Sequence, residues 1–173
     1  LVTQYSTAAE KVRVRLTFHV SRDLQECILD RTTFIRMIGN LLSNALKFTP
    51  EGGEITVTAD IPEDVASVTS GIPKGLYPAT VIPKNGRYLR VTVMDTGVGI
   101  PAESLGTIFD RFVQAQNRRQ GKASGTGLGL AFCRKVMDAH HGIIWAESED
   151  RRGSSFIALF PLDLEASAFS VRA

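Results

Sequence analysis

The chain has 173 residues, of which 43% are hydrophobic and 22% are charged, and its formal net charge is +2. This length suits one domain with a proper core, and the composition is that of a folded protein rather than a disordered one. The small net charge gives no indication of nucleic acid as a partner. No apolar run is long enough for a membrane span, so we expect no direct insertion of this domain into a membrane.

The cysteine content indicates the compartment. Cys27 and Cys133 have no metal-ligand spacing, so we expect free thiols in a reducing, cytoplasmic environment. The chain lacks an initiator Met and begins in the middle of a pattern. We therefore expect a fragment of a larger protein, whose membrane anchor, if it has one, lies outside these residues.

The first elements are a helix end, a strand and a long helix. Residues 1–10 are typical of the end of a helix. Apolar and polar residues then alternate over 12–20, which predicts a half-buried strand with its polar face outward. A long helix is predicted over 30–49, with Asp30 at its N-cap and Pro50 just beyond its end.

The long helix carries two stripes of opposite character. The core-facing stripe follows i, i+3, i+4 and i+7 spacing and consists of Phe34, Ile38, Leu41, Leu42 and Ala45. The opposite stripe consists of Arg36, Asn40, Asn44 and Lys47. Asn is a poor helix former, and a merely solvated face would carry Glu, Lys, Gln or Arg instead. A row of amides and a cation suits a magnesium ion carrying phosphates, because Mg²⁺ takes few protein oxygens and keeps waters and phosphate oxygens.

Two more strands are predicted over 55–61 and 89–93 from their alternating residues. Between them, residues 62–87 contain four prolines and three glycines. Such a segment is predicted to be neither a regular helix nor a central strand. We expect an extended, partly mobile insertion in what would otherwise be a hairpin.

The remainder of the chain completes an α+β pattern. We predict a short helical segment near 103–112, a polar and basic tract over 114–122, and an amphipathic helix from about 128 to 139. Two final strands follow over 143–148 and 155–160. The elements together predict one domain over 1–173, in which helices pack on one face of a mixed, mostly antiparallel sheet.

The segment from Asp95 to Pro101 follows the end of a buried strand and contains Gly97 and Gly99. An Asp before Thr-Gly is commonly an ordinary Asx turn. In a pocket, its carboxylate could instead accept a hydrogen bond from an exocyclic amine such as that of adenine. The glycines would let a flat ring approach the backbone. The motif alone is compatible with both interpretations.

A second glycine-containing segment, residues 124–130, runs directly into a helix. Glycines there expose backbone N–H groups, and the helix dipole favours anions, which indicates a phosphate site. The spacing is that of neither a dinucleotide fingerprint nor a P-loop, and a flexible loop before a helix is the competing interpretation. The neighbouring cations Arg118, Arg119 and Lys122 favour phosphate, since they could close over a nucleotide as part of a lid spanning about 110–126.

The order of these motifs resembles the catalytic and ATP-binding domain of sensor histidine kinases in two-component signalling, which belongs to the Bergerat-fold ATPases. An Asn-rich helix, D-x-G-x-G, F-x-x-F and G-x-G-L-G-L follow one another within residues 12–162. Phe109 and Phe112 resemble the F box that anchors the lid, although core packing explains part of their role. The resemblance implies a two-layer α/β sandwich that binds ATP and Mg²⁺ and transfers the γ-phosphoryl group to a histidine.

The same resemblance implies partners and residue roles. The partners are a histidine-bearing dimerisation domain of the same parent protein and a response regulator. Asn44 would ligate magnesium with Asn40 beside it, Lys47 would contact the phosphates, Phe48 would line the adenine pocket and Asp95 would bind the adenine amine. The other residues expected at the nucleotide are Gly97, Gly99, Ile100, Phe112, Gly125, Thr126, Gly127, Leu128 and Gly129.

The chain departs from the family pattern in two ways. The insertion is longer than the usual hairpin loop, and no histidine has the His-Glu or His-Asp context of a phosphoacceptor; the three present are His19, His140 and His141.

A clamp ATPase of the same fold would need a general base, usually Glu, on the long helix. Two further alternatives are a degenerate, non-catalytic binding module, which the intact Asn44, Asp95 and glycines oppose, and a protein-serine kinase of the same fold.

Overall fold

The computed structural model describes residues 1–24, 27–73, 76, 86–113, 127–149 and 151–162. In chain order the elements are α1 (Val2–Lys11), β1 (Arg15–Val20), α2 (Arg31–Phe48), β2 (Glu54–Asp60), α3 (Val65–Thr69), β3 (Tyr88–Asp95), a 3₁₀ turn (Ala102–Ser104), α4 (Gly129–Ala139), β4 (Ile143–Glu149) and β5 (Gly153–Pro161). Within the described ranges, none of the helices is long and apolar enough to cross a lipid bilayer.

The five strands form one sheet in the order β1-β2-β3-β5-β4. Strands β1 and β2 are parallel, and every other neighbouring pair is antiparallel. This arrangement confirms the predicted α+β fold with a mixed, mostly antiparallel sheet. Asp95 lies at the end of β3, opposite Ile55 of β2 and Ser154 of β5.

Alternation along the strands divides the core between the two faces of the sheet. On the face covered by α2 and α4, the strands contribute Leu89, Val91, Val93, Ile144, Ala146, Phe156, Ala158 and Phe160. On the opposite face they contribute Tyr88, Ile143, Trp145, Ile157 and Leu159. The sheet therefore buries apolar side chains on both sides.

Helix α2 forms as its cap and apolar stripe predict. The Asp30 Oδ1 accepts hydrogen bonds from the backbone N–H groups of Thr32, at 2.9 Å, and Thr33, at 3.1 Å. These bonds satisfy donors that have no partner within the helix. The Phe34 ring packs 5.5 Å from that of Phe160. The buried members of the stripe are Ile38, Leu41, Leu42 and Ala45.

The insertion contains a helix, so the expectation of a purely extended segment is wrong for residues 65–69. No proline lies between residues 62 and 73, so a helix can form there. The Asp64 carboxylate caps this helix by accepting hydrogen bonds from the N–H groups of Ala66 and Ser67. Val65 is buried against the second face of the sheet. The prediction that helices pack on one face therefore holds for α2 and α4, whereas α3 lies on the other.

Two other boundaries differ from expectation. The first strand starts at Arg15 rather than Val12, because Val12 caps the end of α1 and Arg13 turns the chain with φ of 54°. The helical segment expected over 103–112 is only the 3₁₀ turn, in keeping with Gly106 in its middle and the helix-interior cost of glycine. The tract at 114–122 lies outside the described residues.

The packing of the insertion gives a stability prediction. We expect Val65→Ala to lower the free energy of unfolding by about 2 kcal/mol, because it removes buried methyl groups and leaves a cavity. Urea unfolding would measure the change. Val68→Ala on the same helix is the matched control, with a smaller expected loss because Val68 is only half-buried. Equal, negligible losses in both variants would mean that α3 does not stabilise the sheet.

Candidate functional site

The floor of the site is the carboxylate of Asp95, which is 5% exposed. Its Oδ1 accepts a hydrogen bond from the Gly97 N–H at 2.8 Å. Burial raises the pKa of Asp95, although the N–H groups of Gly97 and Ser154 act in the opposite direction. A carboxylate offers about four acceptor positions. Asp95 can therefore accept a further hydrogen bond from a ligand amine.

The glycine after Asp95 lets this loop lie against the end of α2. A Cβ on Gly97 would lie 2.5 Å from the Phe48 carbonyl oxygen and 2.6 Å from the Asp95 Oδ1, which is closer than real Cβ atoms approach. The same Phe48 carbonyl accepts a hydrogen bond from the Val98 N–H at 3.3 Å. The predicted adenine floor and the end of the Asn-bearing helix are thus in direct contact.

The next residues fix the loop against the β4–β5 turn. Gly99 has φ of 73°, and a Cβ there would overlap the carbonyl oxygen of Glu149. The Ile100 N–H donates to the Ser148 Oγ at 2.7 Å. The positive φ of Gly99 and its close approach to Glu149 both favour glycine at this position. The hydrogen bond of Ile100 adds a second contact between the loop and β4.

Two residues of the polar stripe of α2, Arg36 and Asn40, contact α4. The Asn40 Nδ2 donates to the Gly129 carbonyl oxygen at 3.4 Å, and the Arg36 guanidinium lies 4.4 Å from the centre of the Phe132 ring. The Cys133 thiol is fully buried beside it. Burial raises the pKa of that thiol to about 12, while its side-chain hydrogen bond with Asn40 acts in the opposite direction. Asn40 therefore uses its amide to join the two helices.

Asn44 lies one turn further along the stripe and is half-buried. The structure gives its amide no hydrogen-bond partner among the described residues. Among all the residues that the structure describes, no group of three or more His, Cys, Asp or Glu side chains is arranged to hold a metal ion. The oxygen of Asn44 suits Mg²⁺, which accepts amide oxygens and completes its shell with phosphates and water. Of the two amides, Asn44 is the better candidate ligand.

The end of α2 brings a cation and an aromatic ring to the same place. Lys47 is half-buried, and its Nζ lies 4.8 Å from the centre of the Phe48 ring. The Phe48 side chain is 39% exposed. A cation one turn after Asn44 can neutralise phosphate charge. A partly exposed ring beside the Asp95 loop can line a purine site.

The segment entering α4 meets the segment leaving the F-x-x-F motif. The Phe112 N–H donates to the Gly127 carbonyl oxygen at 3.2 Å, and both residues have positive φ, of 64° and 66°. Leu128 then precedes the first residue of α4, Gly129. A backbone hydrogen bond therefore joins residues 112 and 127, which lie near the two ends of the predicted lid. Residues 114–126 of the predicted lid, including Gly125, Thr126 and the three cations, lie outside the described residues.

The two phenylalanines of the F-x-x-F motif differ in burial. Phe109 is 4% exposed and packs edge-on against Phe156, with ring centres 6.3 Å apart. Phe112 is 72% exposed. Core packing is therefore the role of Phe109, while the ring of Phe112 is accessible to a ligand or partner.

Of the histidines, His140 joins the end of α4 to the start of α2. The His140 Nδ1 lies 2.7 Å from the Val136 carbonyl oxygen, and its Nε2 accepts from the Asp30 N–H at 3.2 Å. Since α4 rises about 1.5 Å per residue, His140 is about 16 Å from Gly129 along the helix. His19 is exposed on β1.

The sequence pattern assigns no role to Thr49, which the structure shows to be a buried polar residue. The buried polar residues of the described chain are Thr49, Asp95 and Ser154, and Asp95 is directly opposite Ser154 in the sheet. The Thr49 Oγ1 has no hydrogen-bond partner among the residues that the structure describes. Its position directly after Phe48 was the available signal, but an orphaned hydroxyl is visible only once the surroundings are known.

Comparison with known proteins agrees with this arrangement. Residues 29–164 match the family described as histidine kinase-, DNA gyrase B- and HSP90-like ATPase. The chain belongs to this family. The matched range includes α2, the Asp95 loop and α4, so every described part of the candidate site lies within it.

Several relatives of this family are sensor kinases. The adaptive-response sensory kinase SasA of Synechocystis is 32% identical over 158 residues, which cover 91% of this chain and 35% of SasA. The sensor histidine kinase WalK of Bacillus subtilis is 32% identical over 133 residues, covering 77% of this chain and 18% of WalK. The chain thus spans about a third of one relative and under a fifth of the other.

A solved structure has the same fold. The catalytic domain of histidine kinase ThkA aligns with a TM-score of 0.68 at 27% identity, over 92% of this chain and 88% of that one. The alignment extends over almost the whole of both chains. The predicted Bergerat-type architecture is confirmed by this similarity.

Proposed function

We propose that this domain binds ATP with Mg²⁺ and transfers the γ-phosphoryl group to a histidine of a separate dimerisation domain in the same parent protein. The supporting observation is the contact between Phe48 and the Gly97–Val98 loop, which brings the Asn44 helix and the buried Asp95 together. Membership of an ATPase family supports ATP as the ligand. The relatives named as sensor kinases support a histidine as the acceptor.

Each element has a distinct task in this proposal. Asp95 accepts a hydrogen bond from the adenine amine, and the Phe48 ring packs against the purine. Lys47 and the N-terminus of α4 at Gly129 attract the phosphates. Asn44 would hold Mg²⁺, and the bound ion would neutralise part of the phosphate charge. The residues of this chain thus bind and orient the nucleotide, and positioning provides most of the catalysis.

The transfer step needs a nucleophile from outside these residues. An imidazole nitrogen of the acceptor histidine attacks the γ-phosphorus, the bond from phosphorus to the bridging oxygen breaks, and ADP leaves with that oxygen. The phosphohistidine then serves as donor to a response regulator. Because ATP and response regulators are cytoplasmic, we place the domain in the cytoplasm.

The composition of α2 opposes the function of a clamp ATPase. Hydrolysis requires a base that activates water. Helix α2 contains no Asp or Glu from its first to its last residue. Its polar stripe offers amides and cations instead, which suit phosphate binding without water activation.

A reconstitution experiment tests the transfer. We expect the 173-residue chain with labelled ATP to produce little labelled protein alone and a labelled histidine domain when the dimerisation domain of the parent protein is added. Omission of Mg²⁺ is the control and should abolish labelling. An acid-stable product would indicate a serine kinase, and no label on a folded acceptor domain would contradict the proposal.

A further inference from the structure

The guanidinium of Arg36 lies against an aromatic ring at the surface of α2. Arg36 is exposed, and its guanidinium carbon is 4.4 Å from the centre of the Phe132 ring of α4. Such a contact uses the positive charge and leaves the N–H donors of the guanidinium available. Among the described residues, the structure gives these donors no hydrogen bond and no carboxylate partner. Arg36 therefore presents a positioned cation with unused donors.

Several other arginines of the described chain pair with acids. Those with a carboxylate partner include Arg13, Arg15, Arg90, Arg134 and Arg152. Helix α2 instead contains three cations, Arg31, Arg36 and Lys47, and no Asp or Glu. A helix surface whose charges are all positive attracts an acidic surface. The exposed side of α2 is therefore suited to a partner that carries carboxylates.

Arg36 lies close to the end of α4 that attracts phosphates in the proposed function. Helices α2 and α4 are antiparallel, because Arg36 meets Phe132 while Asn40, one turn later, meets Gly129. Phe132 follows Gly129 by three residues, which is about 4.5 Å along the helix. Adding the 4.4 Å contact places the guanidinium roughly 10 Å from the start of α4.

The acceptor domain has to cover the surface around the start of α4, because its histidine can reach the γ-phosphorus only if the two domains touch there. A specific interface buries about 800 Å² on each partner, which is a patch about 30 Å across. A weak contact of half that area is still about 20 Å across. A patch of either size centred at Gly129 extends to Arg36. The exposed guanidinium is therefore within reach of the acceptor domain during transfer.

We propose that Arg36 is a docking residue for the histidine-bearing dimerisation domain and pairs with a carboxylate of that domain during phosphoryl transfer. This inference rests on the proposed function and names the chemistry by which its partner is recognised. The planar guanidinium can donate two parallel hydrogen bonds to one carboxylate. Its contact with Phe132 orders the side chain before the partner arrives, which lowers the entropic cost of docking.

The test is Arg36→Ala in the reconstituted transfer reaction, with the concentration of the dimerisation domain varied. The KM for that domain should rise about 10-fold, the order expected when an interface arginine is truncated. The affinity for ATP with Mg²⁺, measured by calorimetry, should stay unchanged, as should kcat at saturating acceptor. Added salt should raise KM less in Arg36→Ala than in wild type, because the charged pair is already lost. Arg36→Lys keeps the charge without the planar fork, so it should recover only part of the loss.

Arg15→Ala is the matched control, because Arg15 is an exposed arginine on the sheet face opposite α2. It should leave the KM for the dimerisation domain unchanged. A wild-type KM in Arg36→Ala would overturn the inference, and an equal rise in Arg15→Ala would do so by showing unspecific charge attraction. Reduced ATP affinity in Arg36→Ala would place Arg36 at the nucleotide and also overturn it. If the wild-type chain transfers nothing to a folded acceptor domain, the proposed function itself fails, and this inference with it.

Discussion

Asn44→Ala is expected to weaken ATP binding in the presence of Mg²⁺ by about 100-fold, in line with the loss of a metal-site residue. The Asn44 amide has no hydrogen-bond partner among the described residues, so its removal should disturb few protein contacts. The unfolding midpoint should therefore hardly change. Calorimetric titration with Mg²⁺ and with a chelator would measure the effect, which should be confined to the titration with Mg²⁺.

Neighbouring variants separate a metal role from a structural one. Asn44→Asp keeps an oxygen ligand and should retain Mg²⁺-dependent binding, whereas Arg31→Ala, exposed in the first turn of the same helix, should behave as wild type. Asn40→Ala should instead lower stability, because it removes the bond to the Gly129 carbonyl oxygen that joins α2 to α4. An affinity for ATP in Asn44→Ala equal to that of wild type would refute the assignment of the metal ligand.

The parts of the fold that the sequence predicts are those with local causes. The cap at Asp30 and the apolar stripe of α2 depend on residues within one helix, and both form as expected. Asp95 also lies where alternation along β3 places it, at the buried end of a strand. Periodicity and caps require no knowledge of distant contacts, which is why they can be recognised from sequence.

The parts that the sequence does not predict depend on distant residues. Asn40 meets Gly129 across 89 positions of the chain, so its role in joining helices is invisible in the helix pattern alone. The flanking prolines argued against a helix at α3, and its burial depends on contacts with strands β3, β4 and β5. Thr49 looks like an ordinary helix-ending residue until its hydroxyl is found buried and, among the described residues, without a hydrogen-bond partner. Tertiary contacts decide each of these cases.

Asp95→Asn is expected to weaken ATP binding by about 10-fold or more, since hydrogen bonds to charged groups contribute about 1.5–3 kcal/mol. In one orientation the new amide also presents a donor to the adenine amine. The Gly97 N–H can still be satisfied by the amide oxygen, so the loop should keep its conformation. Competition between ATP and GTP would measure selectivity, and an unchanged preference for ATP would show that the purine binds elsewhere.

The pH dependence of the same variant gives a second readout. Burial raises the pKa of Asp95 above the ordinary value of 3.8 for an Asp side chain. ATP affinity should therefore fall with decreasing pH at a higher pH than an ordinary Asp would cause, because the protonated carboxyl is a weaker acceptor. Between the ordinary and the raised pKa the folded, nucleotide-free domain binds more protons than the unfolded chain, so its stability should rise as pH falls. Asp95→Asn should lose both dependences, and titration of the nucleotide itself would appear equally in both proteins.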